Sequence, residues 1–164
     1  MQIDIGFGDI VYPGPEESDL PTMLGSPAPR LLCYSRESAI AEKFEAMVKL
    51  GVLNSRMKDY YDLWLISETF EFDGRSLQKA IEATFKKRDT EIPSERPLSL
   101  STDFARASQT RWINFLNKME LENPQVEDFQ SVLEMIWTFL EHPVRSSLNQ
   151  TKSTRKWKPQ KGWK

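Results

Sequence analysis

Two consecutive stretches, RESAIAEKFEAMVKL at residues 36–50 and RMKDYYDLWLISETF at residues 56–70, place apolar side chains at helical spacing. Each also sets one charged residue inside its apolar arc. Burying an unpaired charge costs several kcal/mol, so the two helices are constrained to bring those charges to each other or to a common polar hollow. At about 100° per residue, Phe44, Met47 and Val48 fall beside Ile40, and Leu50, Ala39 and Ala46 widen the arc. Glu42, Lys49, Glu45 and Ser38 fall on the opposite face, which the wheel assigns to solvent. Lys43 lies between Leu50 and Met47, with the small residues Ala39 and Ala46 beside it. On the second helix Leu63, Ile66 and Phe70 make the core stripe, and Asp59 lies on that stripe. Arg56 precedes Asp59 by three residues, and Asp62 follows it by three.

The wheel alone leaves several arrangements open. Lys43 could run its aliphatic stem along the core with its ammonium in water. Asp59, near a helix start, could serve the helix dipole or pair with Arg56. The two could form a pair with a structural role only, or line a functional cleft.

Around these helices the chain divides into three parts: strands and a proline-rich loop over 1–34, a helical domain over 35–144, and a tail over 145–164. IDIGFGDIV alternates Ile3, Ile5 and Phe7 with Asp4, Gly6 and Gly8, the period of a half-buried strand. The glycines on the Asp4 face either admit a ligand or backbone, or mark a bend on an exposed face. Residues 13–29 hold five prolines and read as a loop, and RLLCY at 30–34 as a second short strand. Ser35 is placed to cap the helix over 36–50, with Gly51 at its end; Ser55 the helix over 56–70; and Asp73 a third that ends in basic residues. Two more helices are expected over 103–119 and 126–141. The fold class is therefore α+β, mostly α: a bundle of about five helices with a short N-terminal strand pair.

Composition removes several chemistries. The single cysteine, Cys33, excludes an internal disulfide and a multi-cysteine zinc site, and reads as a small buried residue. The single histidine, His142, has no partner at metal-binding spacing. Acid, base or metal chemistry must rest on carboxylates and lysines. No apolar run approaches the roughly 18 residues of a membrane span, and MQIDIGFGD lacks the pattern of a signal peptide, so the expected location is the cytoplasm. Residues 145–164 carry seven basic residues and no acid; with the whole chain at −2, residues 1–144 carry −9. The tail has few apolar residues and reads as disordered. An acidic body with a basic tail does not read as a general nucleic-acid binder, although Trp157 and Trp163, interleaved with lysines, suit stacking on single-stranded nucleic acid.

The strings IDIGFGD, YSRESAIAEKFEAM and RMKDYYDLW, in this order and spacing, resemble the AbiEii/AbiGii family, nucleotidyltransferase-like toxins of bacterial type IV toxin–antitoxin and abortive-infection systems. The resemblance covers residues 1–90 clearly and the later helices loosely. It implies that Asp4 is a metal carboxylate, that Lys43 meets triphosphate charge, and that Asp59 is a base or organiser with Asp62 its partner. It makes Arg56 an anchor for Asp59 or for phosphate. It further implies Mg²⁺ and an NTP as cofactor and substrate, and an acceptor such as tRNA. The family's Gly-Ser turn and Asp-x-Asp should precede Asp4. The only Gly-Ser here, Gly25–Ser26, follows it, and no Asp-x-Asp occurs. The chain is therefore expected to correspond to the C-terminal half of a family member, with remnant strands of the nucleotidyltransferase sheet, and to be inactive alone. A missing N-terminal half or an antitoxin would be its partner. The alternative is a non-catalytic helical interaction module, or a homodimer formed through the N-terminal strand; no membrane partner is expected.

Overall fold

The computed structural model of the chain describes residues 10–22, 25–121 and 123–164. The strand expected over residues 3–9, with Asp4, lies outside them. Five α-helices and two small antiparallel sheets make up the described residues: a mostly α arrangement with few strands. No helix among the described residues is long and apolar enough to cross a membrane.

A two-stranded ribbon comes first. β1 (Glu16–Asp19) pairs antiparallel with β2 (Arg30–Cys33), with Glu16 opposite Cys33 and Asp19 opposite Arg30. The sequence assigned β1 to a loop. EESD carries no alternating pattern, and its strand conformation comes only from the ladder that β2 supplies. The ribbon is exposed, so Cys33 is half-buried rather than a core residue.

Ser35 caps α1 (Arg36–Leu50), its hydroxyl accepting the Ser38 N–H at 3.2 Å. The Ser35 hydroxyl also reaches the Tyr12 carbonyl at 2.6 Å, and the Tyr12 N–H donates to the Ser38 hydroxyl at 2.8 Å. The incoming segment is thus pinned to the start of α1, and Ser38, expected in solvent, is buried. α2 (Met57–Thr69) starts with Arg56 at its N-cap position and has no side-chain cap. Ser55 contributes only its carbonyl, which accepts the Met57 N–H. Asp73 caps α3 (Gly74–Lys87) as expected, accepting the Ser76 N–H at 2.9 Å. α4 (Thr102–Lys118) is capped by Ser101, and α5 (Phe129–Leu148) by Asp128. α1 packs chiefly on α3, and α2, α3 and α4 each pack on α5, so that α5 is the central rod. Ile40, Phe44, Met47, Leu63, Ile81, Trp112, Phe129 and Phe139 are wholly buried in one core.

The C-terminal segment is where the structure departs most from expectation. α5 does not stop at 141 but continues through His142 and Pro143 to Leu148. Proline has no N–H to give to the carbonyl one turn earlier, which here is that of Phe139. The Trp163 indole N–H takes that carbonyl at 3.0 Å. The residues expected to be disordered instead form β4 (Lys156–Lys158) and β5 (Gly162–Trp163), a hairpin that pairs with β3 (Phe72–Asp73) in the order β3-β4-β5. Trp157 is 1% exposed, and its indole N–H donates at 2.7 Å to the carbonyl of Ser67, one of the last-turn carbonyls of α2. Gln78 of α3 grips the approach to the hairpin, donating to the Thr151 carbonyl (2.9 Å) and accepting the Ser153 N–H (3.1 Å). Two tryptophans read as nucleic-acid stacking groups therefore serve as core, Trp157 donating to a helix-end carbonyl and Trp163 to the carbonyl that Pro143 leaves free.

Gly74 lets this segment lie against α3. A Cβ there would stand 2.2 Å from the Ser153 hydroxyl and 2.7 Å from the Arg155 carbonyl, which itself accepts the Gly74 N–H at 2.9 Å. Gly74→Ala is expected to destabilise the protein by about 1–3 kcal/mol in urea unfolding. The exposed neighbour substitution Arg75→Ala should stay within about 0.5 kcal/mol of wild type.

His142 bonds the Ser153 hydroxyl through Nε2 at 2.7 Å and packs on Trp163. Burial, then the nearby Arg155, hold its pKa below the ordinary 6.5. Its contribution should be whole above about pH 6.5 and be lost as pH falls through the depressed value. Unfolding midpoints measured from pH 7.5 to 5 should decline less for His142→Gln than for wild type.

Candidate functional site: a lysine held between two aspartates

α1 and α2 run as a helical hairpin joined by a 3₁₀ turn, Gly51–Leu53. The stripes that bury Phe44 and Met47 on one rod and Leu63 on the other also bring Lys43, Asp59 and Asp62 together. The Lys43 ammonium donates to Asp59 Oδ1 at 2.7 Å and to Asp62 Oδ2 at 2.8 Å. Arg56 reaches the other oxygen of Asp59 at 3.0 Å, and Lys58 reaches Asp62 at 2.7 Å. Of the arrangements the wheel left open, neither a snorkelling Lys43 nor an Asp59 serving only the helix start occurs. Asp59 is buried, Lys43 and Asp62 are half-buried, and Arg56 is exposed.

Electrostatics follows from this packing. Burial alone would lower the Lys43 pKa, but hydrogen bonds and charges from Asp59 and Asp62 outweigh it and hold Lys43 above the ordinary 10.5. Burial likewise tends to raise Asp62, and the bonds from Lys43 and Lys58 outweigh it, leaving Asp62 below 3.8. Lys43 and Asp62 are thus both ionised across the physiological range.

The cluster forms part of the wall of an open cleft of about 510 Å³, lined by Tyr34, Ala39, Glu42, Lys43, Arg56, Asp59 and Arg88. Ala39, the small neighbour of Lys43 on the wheel, contributes the room. Arg88 and Glu45 were not singled out in the sequence. Arg88 pairs with Glu45 at 3.0 Å and with Glu42 at 3.3 Å, and the Thr90 hydroxyl donates to Glu45 at 2.6 Å. Glu45, assigned to solvent by the wheel, is 1% exposed. The turn after α3 folds over that face of α1, and no local signal in residues 36–50 announces a cover that arrives more than forty positions later.

The wall of the cleft is strongly charged, with the cations Lys43, Arg56 and Arg88 beside the acids Glu42 and Asp59. The family model described as nucleotidyl transferase AbiEii toxin, type IV TA system, matches residues 1–135, and the chain belongs to this family. No curated protein and no solved structure matches it.

The family implies a divalent metal, and the described residues of the cleft do not fit one. Among them there is no group of three or more histidine, cysteine or acidic side chains able to hold a metal ion. Asp59 is taken by Lys43 and Arg56, and Asp62 by Lys43 and Lys58. Asp4, the carboxylate assigned to the metal, lies outside the described residues.

Lys43→Met leaves the buried Asp59 and the half-buried Asp62 carboxylates facing each other without their shared cation. It should cost about 2–3 kcal/mol, below the range for a fully buried pair because water reaches the cluster. Adding Asp62→Asn should recover about 1 kcal/mol of that loss. The cluster's stabilisation should fade above about pH 10.5, as pH rises through the raised Lys43 value. It should also fade below about pH 3.8, as pH falls through the depressed Asp62 value. Unfolding curves of the three proteins across pH provide the check.

Proposed function

We propose that this protein is a nucleotidyltransferase-type toxin of a type IV toxin–antitoxin system, and that its cleft receives the phosphates of a nucleoside triphosphate. The observation that carries this is the Lys43 ammonium, held between two aspartates at the wall of a 510 Å³ cleft. An ammonium has three N–H donors. Two are spent on Asp59 and Asp62, and with the side chain 22% exposed the third is free to meet an incoming phosphate oxygen. Arg56, 61% exposed, supplies a second cation at the same wall.

The residues then divide by role. Lys43 and Arg56 bind phosphate. Asp59, bonded to both Lys43 and Arg56, acts as the organiser that fixes the Lys43 ammonium. Asp62 completes that grip. The reaction of this class moves a nucleotide from an NTP to an acceptor such as tRNA, in the bacterial cytoplasm, with an antitoxin as the controlling partner. The carboxylates described in the cleft are neutralised by cations, so the transfer step needs acidic groups beyond them. This chain alone is expected to bind nucleotide without transferring it.

Calorimetric titration of ATP tests the reading. Wild type should bind, and Arg56→Ala should weaken binding about tenfold while leaving the fold intact, since the arginine is exposed. Superimposable titrations for the two proteins would remove the cleft's phosphate role. Radiolabelled nucleotide supplied with RNA should remain unincorporated.

A further inference from the structure

The cleft lies on the α1–α2 hairpin, yet the chain's most concentrated positive charge is elsewhere. The C-terminal segment returns along the first turns of α3. There Arg75 and Lys79, one helical turn apart, face Lys152 across a groove of about 290 Å³. Arg155 follows at once, its carbonyl bonded to Gly74. The strands then alternate. Trp157 and Trp163 point into the core, so Lys156 and Lys158 point outward, and Lys156 and Lys164 bond backbone to backbone across β4 and β5.

Three acids lie beside this ridge: Asp73, which caps α3 and stands opposite Lys156 in the β3–β4 ladder, Glu82, which accepts from Gln78 and shares the groove, and Glu71, 3.7 Å from Lys158; the cations outnumber them. Among the described residues, no ion pair holds Arg75, Lys152, Lys156 or Lys164. Like charges one turn apart on a helix, or directly opposed on adjacent strands, repel. The fold holds them together against that repulsion on a chain whose residues 1–144 carry −9.

We propose that this ridge, from Lys79 and Arg75 through Lys152 to Lys156 and Lys164, is a docking surface for the phosphate backbone of a nucleic-acid double helix. Charge complementarity selects a polyanion. The indoles select the double helix over a single strand. Binding of single strands relies on exposed aromatic platforms for unstacked bases, and here both are consumed. Trp157 is buried, while Trp163 stacks on Phe139 and donates to its carbonyl. What remains exposed is an array of cations, which contacts phosphates without reading bases. The docking is independent of the cleft and of what the cleft binds.

The test uses the full chain and a fluorescently labelled 20-base-pair RNA duplex, followed by anisotropy from about 50 to about 200 mM salt. The duplex should bind with steep salt dependence, and a DNA duplex of the same sequence should bind comparably. The isolated single strand should bind more weakly and leave tryptophan fluorescence unquenched. Lys156→Gln/Lys164→Gln should lower the salt slope by about 2 and weaken binding at least tenfold. The control Arg106→Gln/Lys118→Gln, which changes net charge equally on α4, should bind as wild type does. Equal losses in the two double variants would overturn the proposal, as would tighter single-strand binding with quenched tryptophans. Preference for poly-glutamate over the duplex would assign the ridge to an acidic protein partner and overturn it as well.

Discussion

Lys43 can occupy an apolar arc of α1 only because Asp59 and Asp62 meet it there, at 2.7 and 2.8 Å. The aspartates in turn can occupy the packed side of α2 only because Lys43, Arg56 and Lys58 neutralise them. The mutual requirement fixes the rotation and register of the two helices relative to each other. A turn of either rod about its axis would leave a partly desolvated charge without its counterpart. It also fixes the cleft, since the cluster and Ala39 together define its wall. The groups that hold the two helices in register are therefore the same ones that shape the cleft.

A second constraint acts from the opposite end of the chain. Helix ends and a mid-helix proline leave carbonyls without N–H partners. α2 leaves that of Ser67, and Pro143 leaves that of Phe139 inside the molecule. Both are satisfied by indole donors separated by six positions in the C-terminal hairpin. The same two rings fill the space beside Phe72 and Phe139. The hairpin therefore completes the hydrogen bonding of α2 and α5, and α2 is the helix that carries both aspartates. This is a physical link between the C-terminal segment and the cleft, although they occupy different parts of the molecule.

The family match spans residues 1–135, whereas the packing unit continues to Lys164. The hairpin's lysines stand outward because its tryptophans stand inward, a consequence of the two-residue period of a strand. The segment's composition of few apolar residues and many lysines is the usual mark of an unfolded tail. Here two tryptophans supply enough buried surface and enough donors to fold it against an existing core.

By itself the sequence determined the helices, three of their caps or ends (Ser35, Gly51 and Asp73), and the placing of Lys43 and Asp59 on facing stripes. These depend on periodicity and on hydrogen bonds within a few residues, which a linear string records. Tertiary structure alone decided the burial of Glu45 under Arg88 and Thr90, the strand conformation of EESD, the passage of α5 through Pro143, and the folding of the C-terminal hairpin. Each of these depends on a partner distant along the chain, from about fifteen positions for the β1–β2 ladder to ninety for Trp157 on Ser67. Local propensity cannot register a hydrogen bond or a covering surface that exists only once those distant segments have met.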